Sequence, residues 1–251
     1  VALNCVANGR VLREGPFEDL WIQPASGDAG GAVGAALYAW HMLADGARVL
    51  DGRDRMEGAY LGPAFDDDEI AAWLDARGHR YRTLADGDLE RDVATRIAAG
   101  EVVGLHQGRM EFGPRALGNR SIVGDARSPR MQSQLNLKIK YRESFRPFAP
   151  SVLGERCREC FELDRPSPYM LLVAPVARER LREPGGLDPA ADVVARVNQV
   201  RSDIPAVTHV DNSARIQTVH ADTNPRYHRI IDEFAELTGC PTIITTSFNV
   251  R

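Results

Sequence analysis

Apolar residues recur along this chain in two spacings, and the alternation between them outlines its architecture. Residues 1–6 and 20–23 read as short strands, with a turn at Asn8-Gly9 between them. Asp28 then leads a glycine-rich turn into an alanine-rich run that predicts a helix over 29–43. From 45 to 63 the pattern is polar and irregular, and the acidic start of DDDEI predicts a capped helix over 67–77. Beyond it the expected order is strand 80–83, helix 89–99, strand 102–106, helix 129–138, and strands 148–153 and 170–176. A charged, Gly- and Pro-containing loop is expected over 178–191, with one exposed helical turn over 178–183 as the alternative, then strand 215–219, helix 225–237 and strand 242–246. Strand and helix alternate throughout, which predicts an α/β fold.

With 251 residues, 43% hydrophobic and 26% charged, the chain can bury a substantial core in one large or two modest domains. It has no apolar run of membrane-spanning length and no signal-peptide pattern, so a cytoplasmic location and no membrane partner are expected. Cys157 and Cys160 form a CxxC without a second pair or a nearby histidine at ligand spacing, which argues against zinc. The chain opens inside a strand-like run and stops just after another, so a fragment of a longer protein is expected.

Charge changes the picture most. The whole chain carries a net charge of −4, yet residues 101–150 hold seven arginines and two lysines against four acidic residues. Lys138 and Lys140 are the only lysines among 31 basic side chains. Where arginine is the default, a lysine supplies what a guanidinium does not, a compact point charge for a small anion.

The basic residues fall in two stretches. GRMEFGPRALGNRSI, residues 108–122, places Arg109, Arg115 and Arg120 in a turn-rich segment after a strand of buried type. Guanidinia at this spacing suit an anion with several oxygens, because each can make paired charge-assisted bonds. LNLKIKYRESFRPFAP, residues 135–150, adds Lys140, Arg142 and Arg146. HVDNSARIQTV sets His209, Asp211 and Arg215 at the mouth of a strand, and TTSFNVR puts Ser247 and Asn249 just past another. His106 reads as core or pocket wall. No acid pair, Ser-His-Asp set or metal-ligand set is complete. The residues by themselves describe a binder of a small anionic substrate, such as a nucleotide, acting by positioning and charge stabilisation.

These four stretches resemble the O-carbamoyltransferase family, which carbamoylates nodulation factors and antibiotics. The resemblance implies two modules: residues 1–56 as the last part of an actin-like (ASKHA) ATPase-fold domain, and 57–251 as most of a YrdC-like, carbamoyl-adenylate-forming domain. It implies ATP and carbamoyl phosphate as substrates and transfer of the carbamoyl group to a hydroxyl acceptor. Lys140 and Arg142 match the KxR motif of the YrdC-like fold, and Ser247 and Asn249 flank Phe248 where that fold carries a Ser-Ala-Asn triplet. Arg115 and Arg146 resemble the arginines that hold phosphate and carbamoyl oxygens, and Asp28 resembles an iron ligand of the actin-like module.

The chain departs from the pattern where the family's HxxxH metal pair is absent and where Cys160 and His106 replace aromatic residues. Iron and full transferase activity are therefore not expected of this chain. Two other readings fit the basic stretch: a nucleic-acid-binding module, disfavoured by the acidic balance and 7% aromatic content, and a non-catalytic nucleotide sensor.

Overall fold

In the computed structural model, residues 1–144, 146–182, 195, 197 and 199–249 are described. Six strands, β1 (Val103–His106), β2 (Arg120–Asp125), β3 (Ala149–Leu153), β4 (Leu172–Pro175), β5 (Ser213–Val219) and β6 (Thr242–Ser247), form one sheet. Their order is β1-β2-β6-β3-β5-β4. Only β3 and β5 run parallel, with Ser151 opposite Gln217, and the other neighbours are antiparallel. The α/β expectation holds, with a mixed sheet.

Two helices pack side by side over this sheet: α4 (Asp88–Ala98) against β1 and β2, and α6 (Pro225–Thr238) against β3 and β6. Val93, Ala94 and Ile97 of α4 and Ile230, Ile231 and Phe234 of α6 bury the apolar stripes that their sequences space three and four residues apart. The start of α6 is written locally, because Asn224 accepts from the Tyr227 amide at 3.2 Å ahead of Pro225, and Gly239 closes the helix at φ +73°. Glu90 joins the two helices. It accepts from the Gly87 amide at 2.6 Å and from Arg229 at 2.9 Å. Burial works to raise its pKa, but Arg229 and the backbone donors overcome this and hold it below the usual carboxylate range.

α3 (Asp66-capped, Asp67–Ala76) and α5 (Met131–Lys138) form where expected. α3 starts at a capping box in which Asp66 accepts from the Glu69 amide at 2.8 Å and Glu69 from the Asp66 amide at 3.0 Å. α2 (Asp28–Tyr38) matches the expected 29–43 helix, its last turn widening into a π turn over Ala39–Leu43.

Four readings are corrected. Residues 1–6 are not a strand: Asn4 accepts from the Ala7 amide at 3.1 Å and starts α1 (Cys5–Glu14). Asn8 and Gly9, expected in a turn, lie inside that helix where it crosses the sheet edge. Asn8 donates to Leu171 O, just before edge strand β4, at 3.1 Å, and Arg13 to Val173 O within it at 2.6 Å, so the helix covers carbonyls along that edge. A Cβ on Gly9 would come within 2.2 Å of Val173 O, so no larger residue fits. Residues 20–23 and 80–83 join no ladder; the latter are exposed, and β1 forms the sheet edge instead. β2 went unread because Gly124 and Asp125 dilute its short apolar run. Of the expected 178–191 loop, Arg178–Arg180 make one 3-10 turn, and residues from 183 lie outside the described ones. No described helix is long and apolar enough to cross a membrane.

Replacing Glu90 by Gln should lower unfolding stability at neutral pH by about 1–3 kcal/mol. The native carboxylate has a depressed pKa, so its contribution is present above the unfolded value and lost as pH falls through the folded one. Urea denaturation of both proteins from pH 7 downward should therefore show the difference shrinking below about pH 4.

Candidate functional site

The loop from 108 to 120 is organised by the one acid it contains. Glu111 Oε1 accepts from the backbone amides of Leu117 at 2.7 Å, Asn119 at 2.9 Å and Arg120 at 3.2 Å. The Leu117 carbonyl accepts from Tyr60 Oη and Gln217 Nε2, both at 2.8 Å. Asn224 Nδ2 donates to Asn119 Oδ1 at 2.8 Å and to Tyr60 Oη at 2.9 Å. Burial pushes the Tyr60 hydroxyl pKa far up, so it remains a donor. Gly118, at φ +112°, lies flat on Tyr227, and a Cβ there would come within 2.3 Å of the ring.

This fixes Arg115 at the wall of a cavity of about 310 Å³. Arg142 and Arg146 line it from the loop after α5, Arg215 from β5 and Ser247 from the end of β6. Arg142 lies over the Phe148 ring at 5.0 Å. Among the described residues Arg115, Arg142 and Arg215 form no ion pair with a carboxylate; Arg115 donates to Leu3 O at 3.4 Å, and its Nε is buried with no partner among those residues. Burial, then Arg146, lower the pKa of Arg142. Burial, then Arg115, lower that of Arg215, with Arg142 adding to the effect and Cys5 opposing it. Guanidinia stay charged regardless. Uncompensated cations with an orphaned N–H are an arrangement that a multivalent oxyanion completes.

Lys140 stands behind this wall. Its buried ammonium donates to Ser247 O at 2.7 Å, Ser247 Oγ at 3.1 Å, Asn249 O at 2.5 Å and Asn249 Oδ1 at 3.1 Å. Burial, then Arg142, lower its pKa. Its charge therefore tethers the end of β6, and it brings Asn249 to the site indirectly.

The remaining expected site residues lie elsewhere. Arg109 is exposed and donates to Gly62 O at 3.1 Å. Arg120 is occupied by Gln107 O at 2.5 Å, Asn119 O at 2.8 Å and Gly108 O at 3.1 Å. Asp211 accepts from the Ser213 amide at 3.1 Å and hydroxyl at 2.6 Å, and His209 Nδ1 lies 3.3 Å from the same hydroxyl. These two shape the turn into β5 that delivers Arg215. His106 stacks on Phe65 at the sheet edge, with ring centroids 6.4 Å apart.

A larger cavity of about 740 Å³ lies across the 168–172 segment, lined by Trp21, Leu37, Met56, Leu61, Tyr169 and Leu171. It is mainly apolar, and the Tyr169 hydroxyl donates to Asp54 there. Among the described residues no group of three or more His, Cys, Asp or Glu could hold a metal. Asp28 is exposed in the first turn of α2, and the residues present do not fit an iron site.

The family model for the carbamoyltransferase C-terminus matches residues 94–251, and that for the carbamoyltransferase N-terminus matches residues 1–37. The chain belongs to the carbamoyltransferase family. It is 58% identical over 256 residues to an uncharacterized protein of Synechocystis sp., covering all of this chain and 41% of that protein. It is 41% identical over 257 residues to nodulation protein NolNO of Sinorhizobium fredii, and 40% identical over 255 residues to nodulation protein NolO of Bradyrhizobium diazoefficiens. Those matches cover 99% of this chain but 34% and 42% of the relatives, so the chain spans less than half their length.

All five cavity-lining residues expected from the sequence fall within the carbamoyltransferase C-terminus match, whereas Leu3 and Cys5, beside Arg115 and Arg215, fall within the N-terminus match. Sequence reasoning missed Glu111, Tyr60, Gln217 and Asn224. Only Glu111 carried a signal, as the lone acid among the cations of 108–122.

Gly118→Ala should destabilise the protein by about 2–4 kcal/mol, from positive-φ strain and overpacking against Tyr227. Chemical denaturation measures the loss. Loss of protease resistance around residue 115 before global unfolding would locate it in this loop.

Proposed function

We propose that the cationic cavity holds the phosphate groups of ATP during activation of a carbamoyl group, and that the whole protein transfers this group to a hydroxyl acceptor. The observation that carries the reading is the convergence of Arg115, Arg142, Arg146 and Arg215, with no carboxylate partner for the inner three among the described residues. Membership of the carbamoyltransferase family supports carbamoyl transfer as the overall chemistry. In this reading residues 57–251 are the YrdC-like, carbamoyl-adenylate-forming module and residues 1–56 belong to the actin-like one.

The first step hydrolyses carbamoyl phosphate to carbamate and phosphate. A carbamate oxygen then attacks the α-phosphorus of ATP, the bond to the bridging oxygen breaks, and pyrophosphate leaves with the electron pair. Negative charge gathers on the phosphoryl oxygens as this happens, and fixed guanidinia lower its cost without reorganising. Arg115, Arg142 and Arg215 bear on those oxygens. Arg146 sits at the rim, where its exposed pairing with Glu143 at 2.9 Å is readily exchanged for phosphate. In the third step the acceptor oxygen attacks the carbamoyl carbon, AMP departs, and the hydroxyl proton is lost to solvent. The iron expected of the family's actin-like module has no fitting ligand set among the described residues, and no step is assigned to it.

Calorimetry with pyrophosphate and ATP should show affinity falling about tenfold or more in Arg115→Ala and in Arg142→Ala, the loss of a charge-assisted contact. Arg109→Ala, outside the cavity, should bind as the native chain does. Unchanged affinity in both cavity variants would remove the site. Tight oligonucleotide binding with a steep salt dependence would instead favour the nucleic-acid reading.

Exchange of labelled pyrophosphate into ATP, dependent on added carbamate, tests the chemistry. Exchange that survives both Arg115→Ala and Arg146→Ala would place adenylation elsewhere.

A further inference from the structure

Arg142 and Arg146 both follow α5, on a loop that turns back on that helix through Tyr141 at φ +46°. Such a turn needs a fixed point, and Asn136 supplies it. This side chain is completely buried, yet each of its polar atoms is engaged. Oδ1 accepts from Arg142 Nε at 2.6 Å, and Nδ2 donates to Ser144 O at 3.0 Å and to Arg146 O at 2.8 Å. The Asn136 carbonyl accepts from the Arg142 amide at 3.0 Å, and Gln132 adds a 3.2 Å bond to Arg146 O.

The chemistry of this contact is selective. Arg142 is held through Nε by a neutral oxygen, so the tether itself does not compensate its charge, and the residue lines the cavity. A carboxylate at 136 would compensate that charge and could not donate to the two carbonyls; an aliphatic residue would do neither. With Phe148 under the guanidinium plane at 5.0 Å, Nε tethered and the backbone pinned at 142 and 146, the spacing of the two cations is set by one amide.

We infer that Asn136 is the positioning residue for the Arg142–Arg146 pair, acting on anion binding through these arginines and not by touching the anion. The inference rests on the reading of the cavity as an anion site.

Three measurements decide it. Pyrophosphate affinity of Asn136→Asp should fall about tenfold, while in an Arg142→Ala background, where only the bond to Arg146 O remains to be lost, the same substitution should cost clearly less, about threefold. Equal losses in both backgrounds would make Asn136 merely structural and overturn the inference. Asn136→Ser, which keeps a small polar group and the net charge, should bind between the two and guards against a misfolded aspartate variant. Independently of any ligand, the Arg142 Nε proton of the native protein should exchange with solvent far more slowly than that of Arg146. Rapid exchange at Arg142 would overturn the tether even if pyrophosphate binds. Absence of pyrophosphate binding by the native chain, with a protected Arg142 Nε proton, would instead retire the anion-site reading and with it the role assigned to Asn136.

Discussion

The site depends on one carboxylate held by three backbone amides. Glu111 turns residues 111–120 into a closed loop, and the Leu117 carbonyl at its far side is gripped by Tyr60 and Gln217 from two other segments. Ser151, Gln217 and Tyr227 continue the chain of bonds into the sheet and α6. A buried polar network of this kind is stable when every member is satisfied and fails collectively when one is not. Its rigidity is what allows Arg115 to stand at the cavity with a buried, unpartnered Nε.

Bringing four guanidinia together works against folding, since each is partly removed from water and repelled by its neighbours. The depressed pKa values of Arg142 and Arg215 record that cost. The sheet, the Glu111 loop and the Asn136 contacts hold the guanidinia in place, so in the proposed role an oxyanion would meet cations already positioned. Lys140 differs from them in role. Its ammonium is surrounded by four oxygens of Ser247 and Asn249, and it anchors the strand end that forms the cavity's far wall.

The N-terminal segment is part of this construction. Its first helix covers the carbonyls of β4 through Asn8 and Arg13, and the residues just before it place Leu3 O against Arg115. The same contacts that protect an open sheet edge thus carry backbone from the carbamoyltransferase N-terminus match to the cavity in the C-terminus match. Removing the edge cover would expose β4 and alter the surroundings of Arg115 together.

What the sequence by itself determined is what local chemistry encodes. The Asp66–Glu69 capping box, the Asn224-Pro225 start of α6 and its glycine stop, and the β-branched runs of β5 and β6 are legible because their partners lie within a few residues. The clustering of Arg115, Arg142, Arg146, Arg215 and Ser247 was also legible, from residue type, strand-end placement and resemblance. Residues 1–6 misled because a short apolar run is compatible with strand or helix until its partners are known, and Asn4 caps a helix there. Arg115 and Arg120 are the same residue five positions apart. One faces an open cavity and the other is enclosed by three carbonyls, because the path of the loop between them is set by Tyr60, Gln217 and Asn224. Those partners lie 57 to 105 residues away along the chain, so which arginine faces the cavity follows from tertiary contacts acting together with the local Glu111 loop, not from residue type.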